Sequence, residues 1–487
     1  MPEIQIPPID LSVVLQLLIV FGWATVLLLV DLFVPPASKH ITAYLAAAGL
    51  IVAAVAGIPL WGTSASTFSD KIVLDNFGLA LNWIFLAIGV LTILISLDYL
   101  RRHGIERGEY YVIILLATGG MMLLGQGSDL IVLFLGLELV SITLYVLAGF
   151  GYPRLSSEEA AMKYLLIGAF ATGFLVFGIA LVYGAVGETS LAAIDDFLRR
   201  ETLVAENYAY LLAGMALVII GLGYKISIVP FHMWTPDVYQ GAPTPVTAFM
   251  SVGSKAAAFG GLARFLLNAI DTQAAIWVPA VGALAAATMI VGNIAALTQR
   301  NVKRMLAYSS VGQAGYILLG LLARNEAGMQ GLLFYLLAYS LTNIAAFAVL
   351  IALEQRGEEA WDLDDLAGLW GRRPLLAVAM ALAMFSLAGV PPTAGFWAKF
   401  YVFAAAWEAG LGVLALIGVI VSAIAAFYYL RIVAQMFMSE PRREIVASGD
   451  RLLALGTGLA AALILLLGIL PTPVMTLVQS SVLASLP

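Results

Sequence analysis

The amino-acid sequence predicts an all-α polytopic membrane protein with about 14 transmembrane helices. Of its 487 residues 62% are hydrophobic and 11% charged, and the mean hydropathy is +0.98, outside the range of soluble globular chains. Apolar runs of about 20 residues, the length that crosses a bilayer as a helix, recur along the whole chain. The polar/apolar alternation of barrel strands is absent, so helices are the structure expected to satisfy backbone groups in lipid.

The predicted helices begin near Ser12, Ile41, Leu74, Tyr110, Asp129, Ala161, Tyr208, Thr244, Ala275, Lys303, Gly328, Pro374, Leu411 and Leu452. The opening stretch MPEIQIPPID has no basic segment, and the apolar run after it spans about 23 residues, so it reads as a first crossing rather than a cleaved leader. Lys and Arg in the loops are asymmetric. Fourteen fall on one side (Lys39, Arg101, Arg102, Arg107, Arg154, Arg300, Lys303, Arg304, Arg356, Arg372, Arg373, Arg442, Arg443, Arg451) and four on the other (Lys71, Arg199, Arg200, Arg324). The positive-inside rule makes the first side cytoplasmic and places both termini outside. Six basic residues remain within or at the ends of spans: Lys163, Lys225, Lys255, Arg264, Lys399 and Arg431.

Short self-similarities accompany this pattern. YVLAGF from Tyr145 resembles YILLGL from Tyr316, and the tripeptides at Tyr164 and Tyr335 match at the same offset of 171 residues. Val229-Pro230 and Val390-Pro391 repeat at an offset of 161. These matches relate the fifth to seventh helices to the tenth to twelfth; an odd shift reverses direction across the bilayer, which points to inverted repeats. Both Val-Pro sites, in SIVPFHMWTPD and LAGVPPTAGFWAKF, are expected to break a helix, since proline removes a donor and clashes with the preceding turn.

Around the breaks lie groups that are costly in a membrane and are therefore functional candidates. Lys225 sits just before the first break and Lys399 eight residues after Pro391. Glu138 is about nine residues into its span, roughly 13 Å deep, and either pairs with Lys225 or is protonated. Lys255 lies among small residues in FMSVGSKAAAFGGLARF that let another helix come close. Tyr308, Ser309, Ser310, Gln313, Tyr339, Ser340, Thr342 and Asn343 fall between Lys255 and Lys399, either as a file that orders water or as interhelical glue. His232, inside the first break, is read as a proton relay or as a satisfied structural group. Glu159 and Lys163, four apart with the Glu first, are read as a simple ion pair or as part of a path.

Other functions are excluded or unsupported. With no cysteine there are no thiolate-held iron–sulfur clusters, disulfides or Cys zinc sites. His40 and His103 are assigned to loops, which leaves no buried histidine pair for a haem. No phosphate-cradling loop, HExxH or EF-hand pattern occurs, and nothing points to nucleic acid. EQRGEEAWDLDDLAGLWGRR, residues 354–373, reads as an amphipathic connector that docks on the protein itself or on a neighbour.

The segment GYKISIVPFHMWTPDVYQGAPTPVTAFMSVGSKAAAFGGLARF resembles the core of the antiporter-like membrane subunits of respiratory complex I, NADH:quinone oxidoreductase, and most closely the subunit N branch. The resemblance extends through LIVLFLGLELVSITLYVLAGF, EEAAMKYLLIGAF and LAGVPPTAGFWAKFYVF. It implies two inverted five-helix repeats, each with a broken helix, over residues 110–270 and 271–440, preceded by three helices in 1–109 and followed by a last helix in 441–487. It implies a proton relay through Glu138, Lys225, Lys255 and Lys399, and it places His232, Glu159 and Lys163 on motif positions. Lys399, where the related M subunit carries glutamate, and a chain ending soon after the last helix, without the lateral helix of the L subunit, favour N. The resemblance implies no redox chemistry and no cofactor in this chain, with NADH, FMN, iron–sulfur clusters and quinone held by partner subunits. It implies neighbouring membrane subunits, including related antiporter-like ones, as partners, and the bacterial inner membrane as the location. The alternatives are a subunit of a cation/proton antiporter or membrane-bound hydrogenase, or a non-pumping scaffold.

Overall fold

The structure is a computed structural model and describes residues 9–355, 361–441 and 448–481. Arg356, Arg442 and Arg443 of the charge tally lie outside the described residues. Helices α1 (Leu15–Asp31), α2 (His40–Ala56) and α3 (Asn76–His103) come first. A small antiparallel hairpin, β1 (Ala65–Thr67) with β2 (Ile72–Leu74), lies between α2 and α3 and was not expected. Next come α4 (Gly108–Gln126), α5 (Leu130–Ala148) and α6 (Leu155–Val186). The surface helix α7 (Leu191–Arg200) precedes α8 (Ala205–Ile226), the short α9 (Trp234–Gly241) and α10 (Thr244–Asn268). Then follow α11 (Ala274–Leu297), α12 (Val302–Leu322), α13 (Glu326–Leu353) and the single turn α14 (Leu369–Arg372). The chain finishes with α15 (Pro374–Ala388), α16 (Ala394–Glu408), α17 (Gly412–Met438), α18 (Arg451–Ile469) and α19 (Thr472–Gln479).

Side-chain caps set many of the helix starts, because the first N–H groups of a helix have no partner within it. Asp75 accepts from Gly78 N (2.7 Å), Asp129 from Ile131 N (2.8 Å), Asn325 from Gly328 N (2.7 Å) and Asp450 from Leu453 N (2.8 Å). Eleven described helices are long and apolar enough to cross a membrane; α1 and α15 are apolar but shorter. The 25-residue α10 also runs through the bundle and is buried from Thr244 to Leu267. Burial orders the bundle: 94% of the apolar windows of α12 and α13 is enclosed, against 33% for α6 and α17. The first two are therefore central, and the second two present apolar faces outward.

Each predicted start lies at or near a helix, with the largest shift at α6, which begins at Leu155 rather than near Ala161. The additional turns are polar, SSEEAAMK, and escape a search for apolar runs. His40 and His103 are not loop residues; they are the first residue of α2 and the last of α3. His103 stacks on Tyr99, 3.9 Å between ring centroids. The connector after α13 docks on the protein itself: Trp361 is buried, its carbonyl accepts from Val302 N (2.6 Å), and Leu363 N donates to Arg300 O (3.0 Å). Residues 356–360 of that connector lie outside the described residues.

Candidate functional site

Both Val-Pro sequences break a helix. After Ile226 the chain turns through Ser227 in the left-handed region (φ 71°) and resumes as α9 at Trp234. Groups freed by the break find new partners, as backbone in a membrane must. Val229 N donates to Thr288 Oγ1 of α11 (2.9 Å), Trp234 Nε1 to the Tyr224 carbonyl (3.0 Å), and Thr235 Oγ1 to Ser227 Oγ (2.8 Å). The second break ends α15 at Ala388, passes Gly389 (φ 86°), Pro391 and Pro392, and resumes as α16.

Lys225, in the last turn of α8, is 1% exposed. Its ammonium donates to Ser141 Oγ of α5 (3.0 Å) and stands over the rings of Tyr164 (4.8 Å) and Tyr145 (5.7 Å). Ring faces attract a cation, more strongly when it is desolvated. Glu138 lies one turn before Ser141 on α5, half-buried, and accepts from Thr172 Oγ1 of α6 (2.6 Å). Among the described residues Glu138 and Lys225 form no ion pair. Of the two readings left open by the sequence, a pair with Lys225 or a protonated Glu138, the structure shows no direct contact: Ser141 and two tyrosine rings surround the ammonium, and Glu138 bonds to Thr172 of α6.

Lys255, midway along α10, donates to the Ser310 carbonyl of α12 (2.6 Å) and to the Ser310 hydroxyl. Lys399 of α16 reaches back across the second break and donates to Leu387 O (2.8 Å) and Ala388 O (3.1 Å), the carbonyl end of α15, and to Ser422 Oγ of α17 (2.7 Å). A cation is stabilised at a helix C-terminus by the unsatisfied carbonyls and the helix dipole. Lys399 also stands 5.0 Å from the centre of the Tyr316 ring. Tyr145 and Tyr316, matched by the 171-residue offset, thus each face one of the two lysines beside a break.

Between Lys255 and Lys399 the polar side chains form two hydrogen-bonded segments that meet at the adjacent residues Ser310 and Ser309. Ser310 holds Lys255; next to it, Ser309 Oγ lies 2.5 Å from Tyr429 OH; Gln313 Nε2 donates to Tyr429 OH (3.0 Å) and to Leu387 O (3.2 Å), the carbonyl that Lys399 also binds. Tyr335 OH donates to Gln313 Oε1. Asn343 and Tyr339 belong to a branch at Ser251 (Asn343 Nδ2 to Ser251 Oγ, 2.7 Å), and Thr342 bonds Ser386 (2.8 Å). Ser340 bonds only its own helix, at Leu336 O. Tyr308 is half-buried and lies under Arg304 (5.9 Å), off the file. None of Lys225, Lys255 and Lys399 has a carboxylate within 4.0 Å among the described residues.

His232 lies in the first break, half-buried, with its Nδ1 enclosed and without a hydrogen bond. Glu159 and Lys163 do pair (2.7 Å), and Lys163 also meets Asp237 of α9 (3.0 Å), which Arg304 of α12 binds in turn (2.7 Å). These four line a cavity of about 240 Å³ at the end of the bundle. Sequence reasoning did not assign Asp237, Arg304, Ser141, Ser422, Tyr428 or Tyr429. Tyr428-Tyr429 was the available signal, since two adjacent hydroxyls inside an apolar span need partners. Among the described residues no group of three or more His, Cys, Asp or Glu side chains is placed to hold a metal ion.

The family described as NADH:quinone oxidoreductase/Mrp antiporter, transmembrane, matches residues 127–425, the stretch that holds both breaks and Lys225, Lys255 and Lys399. The chain superposes on a chain of respiratory complex I from Thermus thermophilus with a TM-score of 0.81 at 34% identity, covering 95% of this chain and 98% of that one. It shares its fold with a chain of the Mrp complex of a Dietzia species (TM-score 0.84, 24% identity, 96% and 97% covered). Among curated proteins it is 62% identical to NADH-quinone oxidoreductase subunit N 2 of Roseiflexus castenholzii, over 99% of this chain and 98% of that protein. It is 56% identical to subunit N of Chloroflexus aggregans, over 99% of each. Fold and buried lysines define a polytopic membrane protein of the antiporter-like class. Within that class, the chain belongs to the NADH-quinone oxidoreductase subunit N family.

Proposed function

We propose that this chain is a proton-translocating membrane subunit of an NADH:quinone oxidoreductase and performs no redox chemistry itself. One observation carries the reading: polar groups line the way from Lys255 to Lys399 in two hydrogen-bonded segments, Lys255 to Ser310 and, from the adjoining Ser309, through Tyr429 and Gln313 to the carbonyl shared with Lys399. An ammonium held by hydroxyls, carbonyls and ring faces, without a counter-ion, is in a setting where lysine exchanges protons rather than serving as a fixed cation. Hydroxyl and amide groups in series supply the acceptors and donors that a proton needs at each step.

NADH oxidation and quinone reduction belong, on this reading, to partner subunits that hold FMN and iron–sulfur clusters. A change there reaches the Glu138 and Lys225 region from a neighbouring antiporter-like subunit. A shift of Lys225 toward or away from Glu138 changes the charge near Lys255; its proton passes along the file to Lys399 and leaves on the outer side of the bacterial inner membrane. The lipid bilayer surrounds the outward apolar faces of α6 and α17, both termini are outside, and the repeats span 110–270 and 271–440 between the flanking segments 1–109 and 441–487. His232, Glu159 and Lys163 serve the uptake side. Lys255→Ala in the assembled complex tests the reading: protons pumped per electron fall below the parental value, and an unchanged ratio removes Lys255 from the path.

A further inference from the structure

A second buried polar centre lies outside the lysine file. Glu354, just after α13, is 1% exposed, and its carboxylate accepts from Thr244 Oγ1 (2.6 Å), Trp361 Nε1 (3.1 Å) and Tyr99 OH (3.2 Å). Arg154 Nη1 is 3.6 Å away and His103 Nε2 3.8 Å. From α3, Arg102 donates to the Glu354 carbonyl and is itself paired with Asp98 (2.6 Å); from α12, Lys303 covers the Trp361 ring (4.1 Å). Beside the carboxylate is a cavity of about 620 Å³ lined by Tyr99, His103, Arg154 and Glu354, with the largely exposed Tyr152 and Leu155 also on its wall. A carboxylate this enclosed is costly unless well paired, yet it stands where the cavity meets the first residue of α10.

That residue, Thr244, opens a stripe. Thr247, Ser251 and Lys255 follow at three, seven and eleven positions, one face of a helix, so Lys255 is about 16 Å from Thr244 along the axis. All four are buried. Ser251 accepts from Asn343, whose Oδ1 is buried without a hydrogen bond; buried amide oxygens are ordinarily satisfied, by water where protein supplies no donor.

Resting on the translocation reading above, we propose that Glu354 is the loading carboxylate through which Lys255 receives its proton from the cavity beside Arg154. A hydronium ion in the cavity gives its proton to the Glu354 carboxylate and leaves water. The neutral acid passes the proton along the hydroxyl face of α10, with water bridging the steps longer than one hydrogen bond, to the Lys255 amine. The carboxylate is restored, and Arg154 and the three donors hold it for the next cycle.

The experiment uses the assembled complex in sealed membrane vesicles, comparing Glu354→Gln, Glu354→Asp, Thr244→Val and Lys255→Ala. At high pH on the uptake side Glu354→Gln is expected to lower protons per electron as far as Lys255→Ala does, with no added loss in the double variant, while Glu354→Asp stays near parental. The loss from Glu354→Gln deepens as pH on the uptake side rises, since hydronium then seldom reaches Lys255 unaided; a merely structural Glu354 gives a loss independent of pH. Parental pumping by Glu354→Gln alongside a loss in Lys255→Ala overturns the loading role and leaves the translocation reading intact. Parental pumping by Lys255→Ala overturns that reading itself. If the Gln variant does not assemble, Thr244→Val, which cuts the link to α10 without changing charge, decides: a parental ratio overturns the proposal.

Discussion

Gln313 is the residue on which the file depends most. Its amide serves three partners at once, Tyr335, Tyr429 and the Leu387 carbonyl, so it joins α12 to α13, α15 and α17 in a single hydrogen-bonded unit. Tyr429 links Ser309 to that unit. Tyr429→Phe removes one hydroxyl, keeps the ring, and leaves Ser309 and Gln313 each short of a partner, at about 1–3 kcal/mol per unsatisfied buried group. A step whose barrier rises by about 1.4 kcal/mol slows tenfold. The expected result is an assembled complex whose pumping rate falls by roughly that factor; a parental rate takes Tyr429 out of the path. Lys399 offers a steric counterpart. Gly389 holds φ 86°, and a Cβ there would lie 3.0 Å from Lys399 Cδ. Gly389→Ala therefore strains the left-handed backbone by about 1–2 kcal/mol and pushes the ammonium from the α15 carbonyls, so thermal stability and pumping drop together.

At the scale of elements, the ionisable groups divide into those that hold helices and those that work between them. Arg264 of α10, 1% exposed, binds both carboxylate oxygens of Asp75, the cap of α3 (2.8 and 3.0 Å), and Gly125 O of α4 (2.6 Å). It has a counter-ion, unlike the three lysines. Asp75→Ala strands the guanidinium and is expected to cost about 3–5 kcal/mol, measured as a lower unfolding temperature of the purified protein. The same division explains what was legible in the sequence. Long apolar runs mark crossings because the bilayer demands them, and Val-Pro marks a break because proline cannot donate, so helices and breaks were readable. Lys225, Lys255 and Lys399 were visible as charges where charge is costly. Ser309, Ser310 and Tyr339 stood out as polar residues in apolar spans, but which of them bond across helices did not, because a hydroxyl in a span looks the same whether it bonds its own backbone, as Ser340 does, or a neighbour, as Ser309 does. The placement of Glu138 toward Thr172 rather than Lys225 depends on side-chain direction, which spacing along one helix does not determine. The β1–β2 hairpin, with strands of three residues, is too short to leave a pattern.

For the molecule as a whole, the absence of cysteine gives a direct reading of orientation. Thr63, before β1, and Glu440, after α17, are both exposed and belong to loops assigned to opposite sides. In the positive-inside assignment a membrane-impermeant maleimide labels Thr63→Cys from outside intact cells and Glu440→Cys only in inverted vesicles; the reverse pattern inverts the topology and with it the direction of transport. Replacing Lys225, Lys255 and Lys399 together by neutral residues separates pump from scaffold, since a scaffold that assembles keeps its pumping ratio. The central claim is that buried amines, linked by neutral hydrogen-bonding groups, change protonation while redox chemistry proceeds in other subunits. The most direct measurement is time-resolved infrared difference spectroscopy of the assembled complex with isotope-labelled lysine. Lysine bands that rise and fall with NADH-driven turnover, and vanish in Lys255→Ala, are the predicted result; lysine signals that stay constant from first to last turnover would contradict it.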